Sequence, residues 1–287
     1  VRRADGSIAA GFGSAERLLA GDGAAAPQSA PDMTGLRAAF REVRGGPLSR
    51  LREIDIRDVQ IRVIDARSDL DWIFNDARAV AAVGEGELEA DFSGLLLTSA
   101  GAAPVAIDMR TGAELEEVFV DARISGLVPA AAAPRRGLFA HLGRIDAPVA
   151  LDVVLDASRE AGLRAVLVEI DAGAGTVRVG GGQAATLNSA GLLLAFDTRE
   201  GEIRLERAEL DSDAGQASAT GRIYNFSRFE NAIPGRAAFE FALSEGRAVL
   251  PGLFEDPLEW GSLEAEGVLR PFDLAAELDR FALDFSG

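Results

Sequence analysis

The sequence predicts a mainly β protein, built from successive antiparallel hairpins with two or three short helices. Three observations lead there. Apolar and polar residues alternate over most of the length, the period of a strand with one buried face. The alternating runs are short and are divided by Gly, Asp and Asn. A phrase with apolar residues at n, n+2, n+5 and n+7 recurs along the chain. Ile54, Ile56, Val59 and Ile61 carry it first, and Ile203, Leu205, Ala208 and Leu210 repeat it. Looser copies are Ala113, Leu115, Val118 and Val120, and Ala276, Leu278, Phe281 and Leu283. Wound as a helix at about 100° per residue, these positions would point to opposite sides. As strands they share one face, provided a bulge or tight bend supplies one extra residue in the middle.

Taken in order, residues 1–30 are rich in Gly and Ala, with Asp5-Gly6 before Ser7-Ile8 predicting a hairpin turn into a short strand. A helix is predicted over 32–44, where Met33, Leu36, Phe40 and Val43 share a face and Gly45-Gly46 follows. A second short helix is predicted over 134–145, lined by Leu138, Phe139, Leu142 and Ile145. A third short stretch around 247–254 is broken by Pro251-Gly252. Strands are predicted over 51–57, 59–65, 86–97, 104–110, 115–125, 148–155, 163–171 and 175–180. They continue over 191–197, 202–210, 215–223, 236–243, 262–270 and 277–285. Short connections favour hairpins over βαβ crossovers. No strict period of 20–50 residues repeats, so a regular solenoid is not expected.

Composition narrows the function. The 287 residues carry a net charge of −17. Nucleic-acid phosphates and anionic headgroups would both be repelled by such a surface. Every basic residue is Arg, and there is no Cys, which excludes disulfides, a thiol nucleophile and thiolate metal sites. No apolar run approaches the ~20 residues of a membrane span, and no signal peptide opens the chain. Val1-Arg2-Arg3 begins without Met, and the alternation of Phe281–Phe285 runs to the last residues. The expectation is an internal segment of a longer protein.

Catalytic patterns are sparse. The one histidine, His141, lies between Ala140 and Leu142 with no partner supplied by the sequence. There is no G-x-S-x-G elbow. Carboxylates such as Glu202, Glu206 and Glu209 fall at the positions of a solvated sheet face, although a paired-carboxylate hydrolase of envelope sugars would draw on the same residue types. Asp211-Ser212-Asp213 lacks the remainder of a calcium loop and reads as a turn. Gly180-Gly181-Gly182 lacks the Lys-Ser/Thr of a phosphate loop and reads as a hairpin connection. Phe92, Phe196, Phe239 and Phe241 fall within strands, as core or as an apolar lining. What remains is the apolar face itself, either closed against a second layer or open as a lipid-sized trough.

The order of features resembles a known family. Arg3-Ala4-Asp5-Gly6-Ser7-Ile8 precedes a Gly/Ala spacer and a helix ending in Gly-Gly. Leu51-Arg52-Glu53-Ile54-Asp55-Ile56-Arg57-Asp58-Val59-Gln60-Ile61-Arg62-Val63-Ile64-Asp65 follows. Then come the strand pair around 86–110, the Gly126-Leu127-Val128-Pro129 break, Pro148-Val149-Ala150-Leu151-Asp152-Val153, and Ala219-Thr220-Gly221-Arg222-Ile223. This arrangement, over most of the chain, is similar to the AsmA-like superfamily, in particular the central region of YhdP-type proteins of Gram-negative bacteria. The resemblance rests on strand phrases and carries no chemical motif.

It implies that residues 1–287 belong to a longer β-groove protein, with a sub-boundary near 128–147. The implied fold is an elongated, twisted antiparallel sheet curled into a taco-like apolar groove. The implied setting is periplasmic, anchored to the inner membrane by a helix that this chain lacks. The implied function is non-enzymatic, without cofactor or metal: a conduit for phospholipid acyl chains between inner and outer membranes, supporting outer-membrane integrity. Ile54, Ile56, Ile61, Val63, Leu205 and Leu210 are expected to line the groove, with Val153, Leu155, Leu167, Phe196 and Phe239. The alternative is a β-rich periplasmic scaffold that binds envelope protein partners through its sheet edges.

Overall fold

The computed structural model describes residues 52–65, 69–84, 87–112, 116–133, 142–158, 162–178, 184–197, 201–225, 229–230, 233–234, 236–249, 257–270 and 275–284. The predicted helix over 32–44, most of that over 134–145, the 113–115 part of one phrase copy, His141 and Gly180–Gly182 lie outside them. The described chain is mainly β. Its strands are β1 (Glu53–Asp65), β2 (Leu70–Val83), β3 (Glu87–Thr98), β4 (Gly101–Gly112), β5 (Glu117–Leu127), β6 (Ile145–Asp146), β7 (Val149–Ser158), β8 (Gly162–Ala172) and β9 (Gly175–Arg178). They continue as β10 (Ala184–Asp197), β11 (Glu202–Ser212), β12 (Gly215–Tyr224), β13 (Phe229–Glu230), β14 (Ile233–Pro234), β15 (Ala237–Ala248), β16 (Leu258–Arg270) and β17 (Ala275–Asp284). One short helix, α1 (Pro129–Ala132), follows β5.

Fifteen of these strands form one sheet, in the order β1-β2-β3-β4-β5-β7-β8-β10-β11-β12-β15-β16-β17, with β6 and β9 off this path. Every pairing in it is antiparallel. Spatial order follows chain order, as short connections require. β13 and β14 form a separate two-residue hairpin. The off-path strands continue interrupted neighbours. β10 pairs with β8 through Ala190–Asp197 and with β9 through Ala184–Leu187. β6 pairs with β9 where β7 would otherwise continue. The breaks fall at Ala147-Pro148 and Gly173-Ala174, tied by a 2.9 Å bond from the Gly173 amide to the Pro148 carbonyl. β5 pairs directly with β7, so the sheet runs on across the 128–148 connection.

The recurring phrase marks bulged strands. In β1 the register slips between Ile56 and Val59, where Asp58 takes φ +55°. In β11 it slips between Leu205 and Ala208. In β17 the slip lies between Leu278 and Arg280. Each extra residue keeps the four apolar positions on one face. The two predicted strands 51–57 and 59–65 are therefore one bulged strand, β1.

Two expectations fail locally. No strand is predicted between 65 and 86, yet β2 fills that interval and carries Phe74 and Ala77 at the centre of the core. Ile145, predicted helical, is the first residue of β6, and Leu142–Arg144 before it form a single 3₁₀ turn. The best-buried cluster is Phe74, Ala77, Leu96, Ala103 and Val105, with Val59, Ile61, Trp72, Phe92, Ile107, Ile124 and Leu127 packed around it. Phe74 meets the Phe92 ring edge-on at 5.4 Å. The Trp72 indole N–H donates to the Ala132 carbonyl at 3.0 Å. The connection after β5 thus returns over this end of the apolar face, and the burial concentrates beneath it.

Candidate functional site

Directly opposed residues in an antiparallel pair share a face. Following the register from strand to strand therefore traces rows across the whole sheet. One row begins Val59, Ala77, Gly94, Val105, Ile124 and Leu151. It continues through Ile170, Leu192, Ala208 and Ala219 to Leu243, Leu263 and Leu283. A second runs from Ile56 and Ala79 through Phe92, Ile107, Ala122 and Val153. It goes on through Val168, Leu194 and Leu205 to Gly221, Phe241, Ala265 and Phe281. A third runs from Ile54 and Ala81 through Ala90, Met109, Val120 and Leu155. It ends through Val166, Phe196, Ile203, Ile223 and Phe239 at Gly267 and Leu278.

No charged or polar side chain enters these three rows. They cross thirteen strands, roughly 60 Å at the usual interstrand spacing of about 4.8 Å. Gly221 leaves no gap, because a Cβ there would lie 2.3 Å from Cδ1 of Phe241, whose ring covers the site. Phe239 and Phe241 stack at 5.2 Å.

All the expected lining residues except Leu167 lie on this face. Ile54, Leu155, Phe196 and Phe239 belong to the third row, and Ile56, Val153 and Leu205 to the second. Ile61 and Val63 sit opposite Phe74 and Trp72, toward α1. Leu210 is opposite Ala190 and Ala217, just beyond the first row. Leu167 is opposite Val154 and Ala195 and points to the other side, 42% exposed. The reason is local. Ala165–Val168 is an unbroken apolar run, and only Glu169 and Asp171 further on set its phase. Sequence reasoning also missed Leu151, Ile170, Leu192, Leu194, Leu243 and Leu263. Simple alternation within each strand was the signal for them.

The opposite face is charged. Arg62 bonds Asp71 through Nε at 2.7 Å, Arg222 bonds Glu240 at 2.8 Å, Arg164 reaches Glu117 at 3.1 Å, and Arg207 reaches Glu169 at 3.0 Å. Arg57 and then Arg78 hold the Asp55 carboxyl well below the usual carboxylate range. Arg62 lowers Asp71, and Tyr224 together with Arg222 lowers Glu240. In return Glu240, with burial, raises the Tyr224 phenol. Exposed pairs of this kind contribute at most about 1 kcal/mol each.

Two open concavities lie on this charged face. One, of about 520 Å³, is lined by Arg204, Arg222, Arg280, Glu240, Glu264 and Glu266 among others. The second, about 570 Å³, lies around Ser93, Pro104, Arg123 and Asp152. Both match cation with carboxylate and present neither a nucleophile–base pair nor a ligand cluster. Among the described residues Thr111 is the one buried polar side chain, and no group of three His, Cys, Asp or Glu is placed to hold a metal. The carboxylates of Asp211 and Asp213 serve the β11–β12 turn. Asp213 accepts from the Thr186 amide at 2.8 Å, and Asp211 accepts from Asn188 and Gln216 at 3.1 Å.

Comparison with protein-family models, with curated proteins and with solved structures returned no match.

Proposed function

We propose that the sheet curls into a taco-like groove whose apolar side carries lipid acyl chains, and that the chain is a non-enzymatic segment of a phospholipid conduit of the Gram-negative envelope, as the AsmA-like resemblance implies. In this reading it works in the periplasm, within a longer protein anchored to the inner membrane, and supports phospholipid passage to the outer membrane.

The observation that carries the reading is the uncharged face thirteen strands wide. Its ~60 Å is about twice the ~30 Å hydrocarbon thickness of a bilayer. Leu210, Ile54 and Ile56 on it are 46%, 41% and 42% exposed, so among the described residues this part of the face has no second layer over it. Acyl chains gain about 25 cal/mol for each Å² of apolar surface removed from water and need no stereospecific pocket. A face of Ile, Leu, Val, Ala and Phe without fixed charges offers no deep stopping place, so a chain can slide. Bulges bend and twist the strands that carry them, which favours curling over a flat sheet.

The test is mass spectrometry of organic extracts from the purified folded chain, beside a control protein of similar charge. Stoichiometric phospholipid is expected. The double substitution Leu194→Asp with Leu205→Asp, at directly opposed positions mid-face, is expected to abolish loading while strand content persists. A lipid-free wild-type protein refutes the groove.

A scaffold reading has one observation in its favour. β1 and β17 each pair on one side only among the described residues, and such edges invite another strand. Stoichiometric copurifying protein in place of lipid would support it.

A further inference from the structure

Leu127 and Val149 are partners in the β5–β7 ladder, so a turn of about two to five residues would join the two strands. The chain instead runs through residues 128–148, with α1 among them. Pro129 opens α1, where its fixed φ suits a first helical position, and the Ala133 amide donates to the Pro129 carbonyl to close the turn. Pro129 is buried. The last carbonyls of a helix have no partner within it. That of Ala132 accepts the Trp72 indole N–H. The bond reaches from the end of β5 to β2, three strands away, roughly 14 Å at the usual spacing.

The two sides of α1 are held unequally. On one side it lies against β6, whose Ile145 and Asp146 pair with Val177 and Thr176 of β9 in a backbone ladder. On the other, the tie to β2 is the side-chain bond from Trp72, whose ring also meets Phe74 edge-on at 6.3 Å. Burial follows that tie. Phe74, Leu96 and Ala103 are buried in the cluster that Trp72 packs against, whereas Leu210, on the same face of β11, is not.

We propose that α1 is a strap latched by Trp72. Latched, it shuts Leu96 and Ala103 away from ligand. Loss of the indole bond frees α1 from β2 while β6 keeps its hold, and opens that end of the apolar face. Trp72 is thus a positioning residue that sets how far along the face an apolar ligand reaches. That the ligand is a phospholipid acyl chain rests on the conduit reading; the strap itself does not.

The chain has no Cys, so single cysteines report access without background. The experiment measures N-ethylmaleimide labelling rates of Ala103→Cys, Thr111→Cys and Leu210→Cys in the delipidated 287-residue chain. Each is made with Trp72 and with Trp72→Phe, which keeps an aromatic ring and removes the donor. Thr111 is buried on the same strand and face as Ala103. It lies about 26 Å further along at about 3.3 Å per residue, so it reports general loosening. With Trp72 present, slow labelling at 103 and 111 and fast labelling at 210 are expected. Trp72→Phe is expected to speed labelling at 103 about fivefold, the effect of losing one hydrogen bond, and to leave 111 and 210 unchanged. Pro129→Asp unseats α1 by a second route, since a carboxylate is driven out of the buried seat, and the same pattern is expected. Circular dichroism checks strand content, and if Trp72→Phe unfolds, Pro129→Asp decides. Fast labelling at 103 with Trp72 present overturns the proposal. So does an unchanged rate at 103 in the folded variants, or equal acceleration at 103 and 111.

Repeating the rates after incubation with phosphatidylcholine vesicles separates the strap from the conduit reading. Lipid is expected to protect 210 in both backgrounds and 103 further only in Trp72→Phe. Protection at 210 that never extends to 103 overturns the role of Trp72 in setting ligand reach. No protection at 210 refutes the conduit reading, and the lipid-free rates then decide the strap by themselves.

Discussion

Leu96 and Leu210 lie on the same apolar face, but the structure covers them differently. Leu96 is fully buried among Phe74, Ala77, Ala103 and Val105, at the end over which α1 returns. Leu210 is 46% exposed. Truncating each to Ala removes the same atoms. At Leu96 the loss includes a cavity that a packed cluster cannot collapse, and about 3 kcal/mol is expected. At Leu210 about half of the transfer term is already forfeited to water and no closed cavity forms, so about 1 kcal/mol is expected. With a urea slope near 2.5 kcal/mol/M, the unfolding midpoint should fall by about 1.2 M for Leu96→Ala and by about 0.4 M for Leu210→Ala. The assay is urea unfolding of delipidated protein followed by far-ultraviolet circular dichroism, with slopes compared to wild type. Equal losses at the two sites would refute the reasoning. They would mean that a second layer covers the face near β11, which would then be ordinary core.

Three further outcomes are expected. The lone tyrosine, Tyr224, should titrate above its ordinary value of about 10. Glu240→Gln should bring it back toward that value in an ultraviolet phenolate titration; an unchanged value would contradict the Tyr224–Glu240 bond of 2.6 Å. By linkage, the raised Tyr224 contributes stability that is present below about pH 10 and lost as pH rises through its folded pKa. The lowered Asp71 and Glu240 contribute stability that is present above about pH 4 and lost as pH falls through theirs. Asp91, Asp108 and Asp121 oppose one another directly on β3, β4 and β5. Asp108→Thr should therefore raise stability by about 0.5–1 kcal/mol, more at low salt than at high. Deleting Glu206 removes the extra residue of the β11 bulge and forces either Ile203 and Leu205 or Ala208 and Leu210 onto the charged face. About 2 kcal/mol or more should be lost, whereas Glu206→Thr should cost under about 0.5 kcal/mol; similar urea midpoints for the two would count against the bulge.

Strand order and face assignment were readable in the sequence wherever alternation was clean. The phrase at Ile54–Ile61 and at Ile203–Leu210 located two bulges, because a phase slip in a period-two pattern has few other causes. β2 was hidden for physical reasons. Its second half, Ala77–Val83, is dominated by Ala, which has weak strand preference. Asn75-Asp76 in its middle reads as a turn, and Asp76 does adopt φ +49°, but as a bulge within the strand. Ile145 was drawn into a helical pattern by apolar spacing that a two-residue strand satisfies equally well. The deepest burial, at Leu96 and Ala77, depends on α1 returning to Trp72 from 60 residues away, and no local pattern encodes such a contact. The lining set was legible by face where polar neighbours fixed the phase, and it failed at Leu167 where they did not.

The most direct test places a photoreactive amino acid at successive positions of β10, one variant each at 192, 193, 194, 195 and 196, and irradiates the protein with phospholipid. Leu192, Leu194 and Phe196 lie in the uncharged rows, while Leu193 and Ala195 face the other side, beside Glu169 and Arg204. A lipid-carrying face predicts crosslinking at 192, 194 and 196 and none at 193 and 195. Uniform labelling along the strand, or labelling confined to 193 and 195, would contradict it.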